Sequence, residues 1–400
     1  MDQLVLSSPA SGAGTGGAMS GSVRLRRRLL RAAQQGAIVA VVLALVAWFA
    51  LAVRAGLARN GIAFDLRFLG QPAGFDISEG LVWATDGLRH FQSSDTNAQA
   101  LLAGFGNTVK TAVLAILLST VLGTLLGVAR LSHNWLVRQS SFGLVEFVRN
   151  TPMLIQLVFW YFGVVLKLPP VQEASRWFGG AIASQQGVFL PGIWVAPTAS
   201  GAAVAALLVA VLGAGAALAW KGARRPLFVL AAIALFACVA LGFPLAVSTP
   251  QVDGFAINGG FSASPEFAAL LLGLTVYTAA FIAEIVRGAI LALPRGQWEA
   301  SAALGMSRAQ TFADVVVPQV YRVVLPAFGN QYISLAKTTS LGIAIGYPDL
   351  FNVYGTVSNQ SGRSLEGVIV AMLAYLLLSW VISAVVNVVN GRMLRKGGAR

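Results

Sequence analysis

The chain reads as an all-α protein, a polytopic transmembrane bundle of about eight spans, and three observations predict it. Its residues are 56% hydrophobic and only 11% charged, with a mean hydropathy of +0.74. Soluble domains carry roughly 25% charged residues, so this chain cannot coat a water-facing surface and its apolar excess must face lipid. The apolar residues are also grouped into runs of the length that crosses a bilayer, about 20 residues. Lipid offers no partner for free backbone groups, which leaves helices or a closed barrel. These runs are too long and too continuously apolar for barrel strands, whose residues alternate.

Taken in order, residues 1–22 are mostly Gly, Ser and Ala, a composition that does not order itself. Gly12, Gly14 and Gly17 spell G-x-G-x-x-G, but a dinucleotide fingerprint needs a strand before it and a helix after it. Neither is present. Arg24, Arg26, Arg27, Arg28 and Arg31 precede an apolar run at 37–53. That run is longer than a signal-peptide core and its leading tail is long, so it reads as an uncleaved first span.

Further runs lie at 107–129, 152–167, 201–220, 227–247, 266–291, 322–346 and 367–389. The short third run has room to extend back toward Phe147. Asn330, Gln331 and Lys337 interrupt the seventh. On the second, Gly123 and Gly127 form G-x-x-x-G, which fits either a close helix approach or the ordinary glycine enrichment of membrane helices.

Eight spans entered from inside place both termini in the cytoplasm. With that threading, 18 basic residues fall inside and 8 outside, the bias expected of cytoplasmic loops. Most acids, among them Asp65, Asp76, Glu79, Asp95, Glu173, Asp349 and Glu366, fall outside. The net charge of +13 is thereby explained without nucleic acid. Cys238 is the single cysteine and excludes an internal disulfide, while His90 and His133 leave little for a metal site. The sequence implies no cofactor.

Catalytic patterns are missing. There is no G-x-x-x-x-G-K-[ST], no H-E-x-x-H, no cysteine pair and no G-x-S-x-G. A polytopic chain without catalytic or energy-coupling groups suggests a conduit, not an enzyme, whose power comes from elsewhere.

The informative stretch is 294–318, PRGQWEASAALGMSRAQTFADVVVP. Pro294 suits a first helical position, and Trp298, Ala302 and Gly305 follow at helical spacing. Gly305 can take positive φ and end that helix. Ser307 and Gln310 form a capping box that starts a second short helix, which Pro318 closes. The expected result is two short helices joined by a glycine elbow on the membrane surface. Such an element either docks a cytoplasmic partner or only stabilises the fold at the interface.

Glu299-Ala300-Ser301, Gly305 and Val315-Val316-Val317-Pro318 resemble the E-A-A-x(3)-G-x(9)-I-x-L-P loop of ABC importer permeases. Ser301 stands for the second alanine, and Val315 and Val317 for Ile and Leu. The stretches 106–130, 145–163, 275–301 and 321–341 are similar to permeases for histidine, glutamine and other polar amino acids. The enlarged layout resembles subunits of general L-amino acid importers.

The resemblance implies a five-span permease core with additions. The parts are a basic tail at 1–35, an extra span with its outer loop at 36–104 and core at 105–167. An insertion with two spans follows at 168–263, then core at 264–391 with the loop 294–318, and a tail at 392–400. It further implies that the loop couples to a separate ATPase through Glu299, Ala300, Ser301, Gly305, Val315, Val317 and Pro318. The implied partners are a sibling permease, two ATPase subunits and an extracytoplasmic amino acid binding protein. The expected location is the bacterial inner membrane.

Within the spans, Glu284, Arg287 and Lys337 are costly at depth and mark a candidate substrate path, for which Glu284 and Lys337 are the candidates. Glu284 and Arg287 also lie i, i+3 and can simply pair. An ion-gradient-driven transporter of small polar solutes is the other reading, but it leaves the 294–318 loop unexplained.

Overall fold

The structure is a computed structural model and describes residues 21–59, 64–84, 87–195, 199–219 and 224–397. It forms two units, residues 1–65 and 66–400. The first contains α1 (Gly21–Arg59), whose apolar part is Ala33–Gly56. Residues 21–35, expected as part of a disordered tail, are therefore helical. Their Arg, Leu and Ala content favours helix and continues the span. Residues 1–20, which include the G-x-G-x-x-G, lie outside the described residues.

The second unit is built on α2 (Asn97–Ala129) and α7 (Pro265–Leu291). A reciprocal Thr96–Gln99 capping box starts α2, satisfying two amides that a helix start otherwise leaves open. Ser264 caps α7, with Pro265 at its first position. The two helices run parallel and touch along small residues. A Cβ on Gly123 would lie 2.6 Å from Ile282 Cβ and 2.7 Å from the Ala279 carbonyl. One on Gly127 would lie 2.7 Å from the Ala283 carbonyl. The G-x-x-x-G is thus a true close approach. Around it pack α10 (Val317–Thr338), α11 (Leu350–Ser361) and α12 (Ser364–Gly397). Thr120 on α2 hydrogen-bonds Tyr332 on α10 at 2.8 Å.

Several apolar runs end where local chemistry stops them. The third does not extend back to Phe147, because α3 (Trp135–Asn150) is a separate helix. Thr151, ahead of Pro152, is extended at φ −101°, ψ 130°, as the proline ring requires of its neighbour. After Pro152 come α4 (Met153–Val158), a π-helical turn at Phe159–Val164 and a 3-10 turn at Val165–Lys167. The seventh run is not broken by Asn330, Gln331 or Lys337, since α10 passes through all three. The fifth run stops early. Its helix α6 (Arg224–Ala240) ends before Gly242, whose φ is +86°, and residues 245–248 are extended.

α5 (Gly201–Ala219) packs antiparallel on α6 through a seam of small side chains. Ala203, Ala210 and Ala217 are buried on one helix, and Ala231, Ala234 and Cys238 on the other. Among the described residues, ten short strands, which the sequence reading lacked, lie in the connecting segments. β1 (Leu81–Ala84) and β2 (Gly87–His90) form a hairpin. β3 (Ser175–Arg176), β4 (Ile182–Ser184), β5 (Gly187–Leu190) and β10 (Phe261–Ala263) form one sheet in the order β10-β5-β4-β3. β6 (Gly192–Val195) pairs with β7 (Leu245–Ser248), and β8 (Gln251–Asp253) with β9 (Ala256–Asn258).

At the end of the bundle where α2 and α7 begin, residues 68–101 form an apolar cap with α11. Phe68, Ala73, Val82, Phe91 and Leu101 share a core with Leu350, Val353 and Val357. Polar groups fasten the cap from below. Asn107 donates to the carbonyls of Glu79 and Pro348, both at 2.9 Å, and Lys110 pairs with Glu79 at 2.6 Å.

Asp349, fully buried, caps α11 through the Asn352 amide and accepts from the Tyr375 hydroxyl at 3.1 Å. Burial pushes its carboxyl up to about 6, against the lowering pull of those two donors. An acid raised in the folded state stabilises below its unfolded pKa, and that stability is lost as pH climbs through the folded value. The window therefore runs from about 4 to about 6. Asp349→Asn keeps a good cap and is expected to flatten this slope, on the order of 3 kcal/mol over the whole window. Thermal unfolding of the purified protein at pH 5 and pH 7.5 checks it.

Candidate coupling elbow and the ionic brace beside it

α8 (Arg295–Ala303) leaves the end of α7 at Pro294. Its exit forms a Schellman turn, in which the Met306 amide donates to the Ser301 carbonyl and the Gly305 amide to that of Ala302. Gly305 sits at φ +71°, the left-handed conformation that glycine reaches without strain. Ser307 accepts from the Gln310 amide while the Gln310 side chain accepts from the Ser307 amide. Both local readings of the sequence thus describe the geometry.

Pro318 does not close a second short helix. α9 (Arg308–Gln310) runs into a π-helical turn at Thr311–Val316 and on into α10. The widened turn ends just before Pro318, which takes an early position of α10. There the missing amide and the ring are tolerated as at a helix start. The elbow therefore joins one short helix to the continuous element Arg308–Ile345.

Glu299 and Ala300 lie on the exposed side of α8, while Ser301 is buried and its hydroxyl donates to the Gln297 carbonyl at 2.7 Å. Leu304, 80% exposed, stands at the tip beside Gly305. Val315 is half-buried, and Val317 and Pro318 are exposed. The Gln319 amide bridges Gln297 Oε1 and the Val315 carbonyl, each at 3.0 Å. It fixes α8 against the base of α10. That glutamine pair escaped the sequence reading, since residues 22 apart carry no local signal of contact.

Beside the elbow, an ionic cluster joins the adjacent helix ends. Glu284 on α7 accepts from Arg130 at 2.6 Å and from Arg287 at 2.5 Å, with Arg149 of α3 at 3.9 Å. Glu146 pairs with Arg130 at 3.4 Å and Arg149 at 3.6 Å. Arg130 also lies over the Phe142 ring and Arg149 over Phe281. The local Glu284–Arg287 pairing is present, and two arginines from other helices join it. Such a network ties α2, α3 and α7 at one end of the bundle.

Lys337 lies elsewhere, in the last turn of α10. Its side chain borders an open, mostly apolar groove of about 450 Å³ walled by Phe351, Met372, Leu373, Tyr375 and Leu376. The structure does not bring Lys337 and Glu284 together; no contact between them occurs among the described residues.

A family model described as "Binding-protein-dependent transport system inner membrane component" matches residues 119–396. The chain is 36% identical to the putative amino-acid ABC transporter permease protein YhdX of Escherichia coli (strain K12), over 89% of this chain and 92% of that protein. It is also 36% identical to the general L-amino acid transport system permease protein AapQ of Rhizobium johnstonii, covering 89% and 90%. The glutamate/glutamine/aspartate/asparagine transport system permease protein BztB of Rhodobacter capsulatus is 34% identical, covering 88% and 91%.

Proposed function

Because the chain belongs to the family of binding-protein-dependent transport system inner membrane components, we propose that it forms the path for amino acids in an ATP-driven importer. Membership implies ATPase and substrate-binding partners. The cargo is inferred from the three long relatives, each named as an amino acid permease. The pairing permease is proposed to be a sibling chain, giving a heterodimer served by two ATPase subunits.

The observation that supports coupling most strongly is the exposed Schellman elbow at 301–306. Glu299, Ala300, Leu304 and Gly305 stand clear of the bundle, while Ser301 and the Gln297–Gln319 bridge tie α8 back to it. Val315, Val317 and Pro318 form the root of the following helix. ATP binding would draw the two elbows of the pair together and open the bundle outward; hydrolysis would reset it inward. Each step is a two-state rearrangement biased by a ligand.

Glu284 in this scheme holds three helix ends together, and we assign the substrate path to the side of Lys337. The threading that puts the elbow, both termini and the inner membrane's cytoplasmic face together rests on the split of basic residues.

Position 308 tests the threading. With Cys238 replaced by Ala, Arg308→Cys should resist an impermeant thiol reagent added to intact cells and react after permeabilisation. Strong labelling from outside would reverse the topology. Uptake in vesicles holding the assembled complex should follow ATP and ignore an imposed ion gradient.

A further inference from the structure

The β1–β2 hairpin carries two different faces. Val82 points inward, 3% exposed, into the cap core. On the other face Leu81, Trp83 and Leu88 are 52%, 80% and 60% exposed. The antiparallel register sets Trp83 opposite Leu88 and Leu81 opposite His90, so the three apolar side chains form one patch with an imidazole at its edge. An outer face of a two-stranded ribbon in water would be polar.

The height of this patch is fixed by its root. The Glu79 carbonyl is bonded by Asn107, and the Glu79 carboxylate by Lys110. A Cβ on Gly80 would lie 2.9 Å from Ala103 Cβ, so the strand begins against α2 at that turn. The apolar helix Asn97–Ala129 is about 50 Å long, so centred on a core of about 30 Å it projects roughly 10 Å at each end; Ala103 lies six residues, or roughly 9 Å, from its start. The headgroup layer on each face of a bilayer is about 5–8 Å deep. Leu102, on the same turn of α2, is itself 66% exposed. The hairpin root is therefore at the depth where tryptophan concentrates, with its ring among acyl–glycerol carbons and its N–H toward polar headgroups. Arg89 does not compete for that surface. It is turned inward and held by Asp95 at 2.5 Å.

We propose that Leu81, Trp83 and Leu88 are seated in the headgroup layer of the bilayer. There the hairpin anchors the cap, and through it α11, to the membrane surface. The patch springs from the same turn of α2 as the exposed Leu102, at the interfacial depth, which favours lipid over a protein partner.

The test uses the complete transporter in liposomes, with Cys238→Ala and a fluorophore on Trp83→Cys or, separately, Leu88→Cys. Both positions are exposed, so neither substitution disturbs the core, and two sites guard against failure of one variant. Lipids with a nitroxide on the headgroup should quench most of the emission at both positions, and aqueous iodide should quench little. Quenching by iodide alone would place the patch in water. Quenching by neither would mean that another protein chain covers it, and stronger quenching by a mid-chain nitroxide would place it below the headgroups. Each of these three results overturns the proposal.

Discussion

Gly127→Val is expected to abolish the assembled transporter. Its added Cβ would meet the Ala283 carbonyl at 2.7 Å and Val286 Cβ at 2.9 Å. A backbone oxygen in a helix cannot rotate aside, so α2 and α7 would have to separate. Overpacking of this kind costs about 1–3 kcal/mol where side chains can shift, and more where they cannot. The separation would also disturb Ile282 and Ala283, both fully buried, and the packing of α3 against α7. Gly123→Val should behave the same way, with its Cβ 2.7 Å from the Ala279 carbonyl. Gly106 on the same helix has open space where a Cβ would go, so Gly106→Ala supplies the control. Membrane levels and co-purification with the partner chains provide the measurement. Normal levels of complex with Gly127→Val would show that the close approach is dispensable.

Gly305→Val is expected to have an equally large effect on activity and a small one on assembly. Apart from its two chain neighbours, no atom lies within 4 Å of the site where its Cβ would sit, so nothing in the bundle is displaced. The cost is in the backbone, because φ +71° strains a β-branched residue by on the order of 1–3 kcal/mol. The Schellman turn would open, and the exposed face of α8 would lose its alignment with the start of α10. Binding-protein-stimulated ATP hydrolysis and uptake should both fall to background while the complex still purifies. Gly305→Asn separates the causes, since asparagine tolerates the left-handed region and should recover most of the activity. Glu299→Ala should be milder, since on the proposed reading it removes a single polar contact to the ATPase, worth roughly 1–3 kcal/mol. Near-normal uptake by Gly305→Val at matched subunit levels would exclude the elbow as the coupling element.

What the sequence by itself determined is local. The apolar runs are read from contiguous sequence, and the capped starts and the glycine elbow each depend on residues within about one to two helical turns of one another. Gly305 and the Ser307–Gln310 box were legible because their hydrogen bonds close within five residues. Pro318 was misread by the same local logic. Whether a proline ends a helix depends on the turn before it, and here a π-helical turn leaves the ring room. Tertiary structure alone decided between the two meanings of Gly123 and Gly127, because glycine enrichment and close packing spell the same letters. It also gathered Arg130, Arg149 and Arg287 onto Glu284, and set Asn107 against Pro348, 241 residues away. Such pairings have no periodicity to announce them. They exist because a polar group buried in protein is costly unless it is hydrogen-bonded or paired, and only the packed helices determine which partner is within reach.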